Sequence, residues 1–122
     1  MAASDEPCDG GRCRRWLGHA TTVTLAAGGL TVVAVDRNER GLRELPDSVR
    51  REVSDTTNPA VAARLIDRIA GEVRPPDVLV HTIDAFRPGD TLTTTPETLR
   101  LMFDVNLGTA LRLSQAVAPH MR

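Results

Sequence analysis

Four polar side chains stand out as candidates for chemistry: Asp36, Asp55, His81 and Asn106. Asp36 closes the β-branched run Leu30–Val35, where a carboxylate at a strand end can accept hydrogen bonds from a sugar's hydroxyls and repel a phosphate. Read blandly, it is a turn residue. Asp55 lies in Ser54-Asp55-Thr56-Thr57, just before Asn58-Pro59, a setting in which an acid caps the helix that follows. His81 is of the residue type that serves as a general base, yet no nucleophile or orienting partner is identifiable for it. Asn106 sits inside a helical pattern, where asparagine has poor intrinsic propensity. Cys8 and Cys13, with His19, make at most half a metal site, because zinc takes paired cysteines and a second ligand pair. They read as free thiols. Ser48, Ser54 and Ser114 lack the surroundings of a nucleophile. The 122-residue chain has no tyrosine and no lysine, and its fifteen basic residues are all arginine. Proton transfer by a tyrosine beside a lysine is therefore excluded.

These residues need elements to hold them. An apolar fraction of 41% and a charged fraction of 25% suit one globular domain of modest size. A net charge of -1 argues against nucleic acid or an anionic membrane as partner. No apolar run approaches the roughly 20 residues that span a bilayer. Residues 1–16 are polar and glycine-rich and resemble no secretory signal, so the reading expects a poorly ordered segment on a cytoplasmic protein. From Leu17 helical spacing runs to Ala27 and stops at Gly28-Gly29. Leu30–Val35 reads as a buried strand, 37–47 as a short helix closed by Pro46, and Val49–Val53 as a weak strand. Asn58-Pro59 opens a helix with Val61, Leu65 and Ile69 on one face and Ala62 and Ile66 beside them. Asp77–Val80 is the next buried strand. After a Pro/Gly/Thr-rich loop, Thr95-Pro96-Glu97 opens a helix to about Val117, apolar enough to expect burial on more than one side. Such alternation calls for an α/β fold with about three parallel strands between helices. No strand-like run precedes Leu17.

Four blocks in register carry a resemblance: Leu17 to Arg37, Ser54 to Val61, Asp77 to Asp84, and Phe103 to Met121. Residues 17–122 resemble the N-terminal, cofactor-binding half of the short-chain dehydrogenases/reductases. The resemblance implies an incomplete Rossmann-like dinucleotide-binding domain and an NAD(P)-dependent oxidoreductase. It assigns Asp36 to the adenosine ribose, favouring NAD over NADP, although Arg37 beside it would attract a 2′-phosphate. Asp55 matches the acid near the adenine ring, Gly18 the last glycine of the phosphate-binding turn, and Asn106 the helix asparagine of a proton relay.

The departures from that pattern are as informative. The family's turn T-G-x-x-x-G-[IL]-G appears as Gly11-Arg12-Cys13-Arg14-Arg15-Trp16-Leu17-Gly18, keeping only the last glycine where the backbone must approach a pyrophosphate. Read as a phosphate cradle, the three arginines would have to replace a shaped nest. Read one base later with GC-rich codons, Arg12–Trp16 would place glycine where Arg12 and Trp16 stand, which suggests a frameshift. The family's N-N-A-G appears as His81-Thr82-Ile83-Asp84, so His81 reads as a substituted asparagine and Asp84 brings charge beside the expected nicotinamide ribose. The catalytic serine and Tyr-x-x-x-Lys of the family would follow Arg122. The expectation is a chain that binds NAD poorly and is inactive alone. Two alternatives stand beside it: a non-catalytic module pairing through helix 96–117 as a homo-oligomer, or the product of a degraded gene.

Overall fold

The structure, a computed structural model, describes residues 15–121. Its centre is set by the valines. β-Branched side chains crowd a helix but pack well on a pleated sheet, and Val33–Asp36 forms strand β1. β1 pairs in parallel with β2, Arg50–Val53, with Val33 opposite Arg50 and Asp36 opposite Val53. Successive side chains of β1 leave on opposite faces. Val32 and Ala34 pack with Leu42, Leu45 and Val49 under the first helix. Val33 and Val35 pack on the other side against Leu65 and Ile69. Each such valine contributes about 1.5–3 kcal/mol relative to an exposed one. β2 is built differently: Glu52 meets Arg68 at 2.7 Å, and Arg50 bonds both Glu52 and Glu72. Charges on an edge strand discourage further pairing.

The first helix, α1, runs Arg15–Ala27, starting two residues before its expected boundary. It ends where Leu30 N–H bonds Leu25 O and Gly29 N–H bonds Ala26 O, the paired bonds of a Schellman cap. That cap places Gly29 at φ +84°, a conformation glycine adopts without a Cβ penalty. α2 is only Glu39–Arg43, shorter than the 37–47 pattern suggested. Asn38 starts it by accepting from Arg40 N–H, and the chain already leaves the helix where Leu45 N–H bonds Leu42 O. α3 spans Pro59–Glu72, opened by Asn58, whose side chain accepts from Ala60 and Val61 N–H. Its buried face is Ala62, Leu65, Ile66 and Ile69, as the sequence pattern requires.

Two expectations need correction. Among the described residues the sheet has two strands, not three. Asp77–Val80 is extended in sequence character but joins no ladder, because a strand exists only through exchanged backbone bonds and a cavity separates this segment from β1. The α/β class itself stands. The long helix is also not buried on several sides. α4, Pro96–Phe103, continues through a π-helical turn, Asp104–Gly108, into α5, Thr109–Val117. Only Thr109, Leu113 and Val117 are buried along it. Leu113 packs with Ala62 and Ile83. Leu99, Phe103, Leu107 and Leu111 face outward, each more than half exposed. One chain has a single core for this helix to cover, so a second apolar face has nothing to rest on.

Candidate functional site

The parallel register brings the carboxyl ends of β1 and β2 side by side, with Asp36 ending one and Ser54–Thr56 continuing the other. Ser54 N–H bonds Asp36 O at 3.0 Å, which ties the two exits together. Asp36 is 8% exposed, and its Oδ1 accepts from Asn38 N–H at 2.8 Å. The bland reading of a turn carboxylate is thus realised in the geometry, and it also fixes the orientation of the carboxyl group. Asp55 accepts from Thr57 twice, through the hydroxyl at 2.6 Å and the N–H at 3.0 Å. The hydroxyl bond holds the Asp55 carboxyl below its usual range against the opposing effect of partial burial. Thr57 N–H and the charge of Arg37 push the same way. Arg37 and Asp55 are therefore electrostatic neighbours, a link between two loops that no sequence spacing showed. Thr56, next to Asp55 in the loop, is buried.

Gly18 is buried in the opening turns of α1. Because α1 folds back onto β1 through the Gly28–Leu30 turn, its N-terminal end lies toward the strand ends that carry Asp36 and Asp55. Three of the four resemblance-assigned positions thus belong to one end of the sheet. The turn through Gly11–Arg14 and the thiols Cys8 and Cys13 lie outside the described residues. Among the described residues no group of three His, Cys, Asp or Glu side chains could hold a metal.

Asn106, the fourth position, is placed elsewhere and does something specific. Its Oδ1 accepts from Ala85 N–H at 2.8 Å, while Nδ2 donates to Ala85 O at 2.9 Å and Met102 O at 2.8 Å. One side chain therefore clamps both backbone groups of a loop residue, and it does so from inside the π turn. Such bulges commonly occur at functional positions. Thr109 closes the turn by donating to Val105 O. Sequence reasoning missed this clamp; the asparagine within a helix was its one visible trace.

His81 turns toward the same helix, with Nε2 at 3.0 Å from Thr109 Oγ1. The Thr109 hydrogen is already given to Val105 O, so Nε2 is the donor of this pair. Burial pushes the His81 pKa down, which favours the neutral form. His81 is thus a part-buried donor to the helix that carries Asn106.

The family described as enoyl-(acyl carrier protein) reductase matches residues 13–122. The short-chain reductase protein NovJ of Streptomyces niveus is 35% identical over 115 residues, covering 88% of this chain and 44% of that protein. The 2,3-dihydro-2,3-dihydroxybenzoate dehydrogenase of Bacillus subtilis is 29% identical, covering 86% of this chain and 43% of its own length. In structure, a protein of Burkholderia xenovorans assigned to the short-chain dehydrogenases/reductases superposes with a TM-score of 0.80 at 27% identity, over 98% of this chain and 49% of that one. The chain spans less than half the length of the curated relatives it matches. With the family model matching residues 13–122 and NovJ 35% identical over 88% of this chain, the chain belongs to the short-chain dehydrogenase/reductase family.

Proposed function

We propose that this chain forms the adenosine-side half of a short-chain oxidoreductase, holding the ribose and adenine end of NAD weakly and carrying out no hydride transfer by itself. The observation behind this reading is the juxtaposition of Asp36 with the Asp55–Thr56 loop at the carboxyl ends of adjoining parallel strands, where open α/β sheets bind nucleotides. The acids suit that group: Asp36 is oriented by Asn38 N–H, and a carboxylate there accepts from the ribose diol. That carboxylate repels a 2′-phosphate and supports NAD over NADP, against the pull of the neighbouring Arg37 guanidinium. When bound, the dinucleotide supplies hydride chemistry at its nicotinamide. With no tyrosine and no lysine in the chain, the residues here offer only recognition.

Thermal melting with added NAD, NADP and ADP-ribose tests the reading. NAD and ADP-ribose should raise the midpoint equally, since only the adenosine end is held, and NADP less. Asp36→Ala should abolish the shift. Absence of any shift at millimolar NAD, or a larger shift with NADP, would overturn it.

A second reading is favoured by one observation. Leu99, Phe103, Leu107 and Leu111 are exposed and four residues apart. In an unbroken α-helix such a stripe drifts by about 40° per step, because 3.6 residues make a turn. The wider π turn at Asp104–Gly108 turns the drift back and straightens the stripe. We propose that two copies pair along it as a homo-oligomer.

A further inference from the structure

Asp104, Gly108 and Arg112 follow one another at four-residue steps along the helix that carries Asn106. Arg112 Nη1 donates to Asp104 Oδ1 at 2.8 Å, and Nη2 lies 3.4 Å from Asp104 O. That carbonyl also accepts from Thr109 N–H, the five-residue bond that defines the π turn. The guanidinium therefore spans two turns and ends at the atom where the helix changes register. The pairing depends on that change. In an unbroken α-helix, residues eight apart lie about 80° beyond two full turns. The π turn takes up one residue without rotating its flanks, so Asp104 and Arg112 stand like residues seven apart, about 20° from being in line. Two further observations bear on the bridge. Gly108 lies beneath it: a Cβ there would fall 2.7 Å from Asp104 Oδ1 and 3.0 Å from Arg112 Nη1. The bridge thus needs the residue that a helix interior otherwise disfavours. Arg112 Nε is buried and has no hydrogen-bond partner among the described residues. A buried donor without an acceptor destabilises, and here it accompanies a guanidinium held down over the turn.

We propose that the Asp104–Gly108–Arg112 bridge is a register latch: it selects the π turn over a continuous α-helix and thereby positions Asn106 on the Ala85 backbone. Without the bridge the extra residue of the turn passes into regular helix, and the two flanks rotate by about 100° relative to each other. Asn106 lies inside the turn, so the rotation carries its side chain away from Ala85. Both Ala85 backbone groups then lose their side-chain partner. Arg112 is in this sense a positioning residue, acting on the loop through Asn106. The latch couples the register of the long helix to the loop that follows Asp77–Val80, and it does not rest on the cofactor reading.

The test is residue-resolved amide hydrogen exchange on the full chain. Arg112→Met keeps the apolar stem and removes the guanidinium; exchange at Ala85 should speed by about tenfold while Ala34 in β1 keeps its rate. Gly108→Ala is the more discriminating variant. Alanine favours a regular helix over glycine, so an effect on helix stability alone would leave Ala85 unchanged or slow it. Displacement of the bridge instead speeds Ala85, as Arg112→Met does. Arg100→Met, which removes the arginine paired with Glu97 at 3.5 Å, should leave Ala85 unchanged. Three results would overturn the proposal: unchanged or slower exchange at Ala85 in either Arg112→Met or Gly108→Ala, equal acceleration at Ala85 and Ala34, or the same acceleration in Arg100→Met. None of these readouts involves a dinucleotide, so failure here leaves the cofactor reading intact.

Discussion

His81 shows how the surroundings of one residue turn a chemically suggestive group into a structural one. In the fold it is a half-buried neutral donor to Thr109, and burial lowers its pKa. The sign follows from linkage. Below pH 6.5 the unfolded chain's histidine takes up a proton that the folded ring resists, so the unfolded state binds more protons and stability falls with acid. The folded protein should therefore lose stability as pH drops from about 6.5 toward the lowered folded value. His81→Asn should flatten that part of the profile, as followed by denaturant midpoints at successive pH values. An unchanged slope in the variant would mean that another group governs the window. Asp36 and Asp55 make the complementary case. Both make the local turn bonds that any loop aspartate makes, and only their placement at adjoining strand exits makes them a candidate site.

At the scale of elements, the π turn and Asn106 act together. The extra residue in the turn lets a side chain within a helix reach out and hold both backbone groups of Ala85. A net hydrogen bond contributes about 0.5–1.5 kcal/mol, and this residue makes three at a solvent-accessible position. Asn106→Ala should destabilise the fold by about 1–3 kcal/mol and speed amide exchange at Ala85 before it affects β1. Thermal melts and residue-resolved exchange measure the two effects. Loss of β1 protection at the same rate as Ala85 would show that the clamp is part of the global unit and not a local tether.

For the molecule as a whole, the two helical layers are unequal. α1 and α3 cover the faces of β1 with apolar side chains, while α5 buries one face, α4 buries none, and both expose apolar side chains. A contiguous exposed apolar stripe marks a surface for association. Light scattering after size exclusion should find the chain as a dimer, with Leu107→Glu shifting it to monomer without lowering its melting temperature. A wild-type chain that stays monomeric at its highest soluble concentration would count against pairing. Among the described residues, no helix is long and apolar enough to cross a membrane.

The residues alone determined the element types and most of their limits. The Gly28-Gly29 stop, the Asn58-Pro59 cap and the buried face of α3 are local matters, set by backbone freedom, missing N–H groups and period, and they stand in the fold as read, while the valine run forms its strand over Val33–Asp36 and not from Leu30. The family was legible for the same reason, since its blocks keep their order and spacing along the chain. Tertiary structure decided what depends on neighbours. Whether Asp77–Val80 becomes a strand depends on a backbone partner across the cavity, not on its β-branched side chains. Whether the long helix is buried on every side depends on how many cores it touches. The Asn106–Ala85 clamp and the His81–Thr109 bond arise from contacts between segments distant in the chain. Hydrogen bonds and burial are properties of pairs of groups, and a linear sequence names the groups without saying which of them meet.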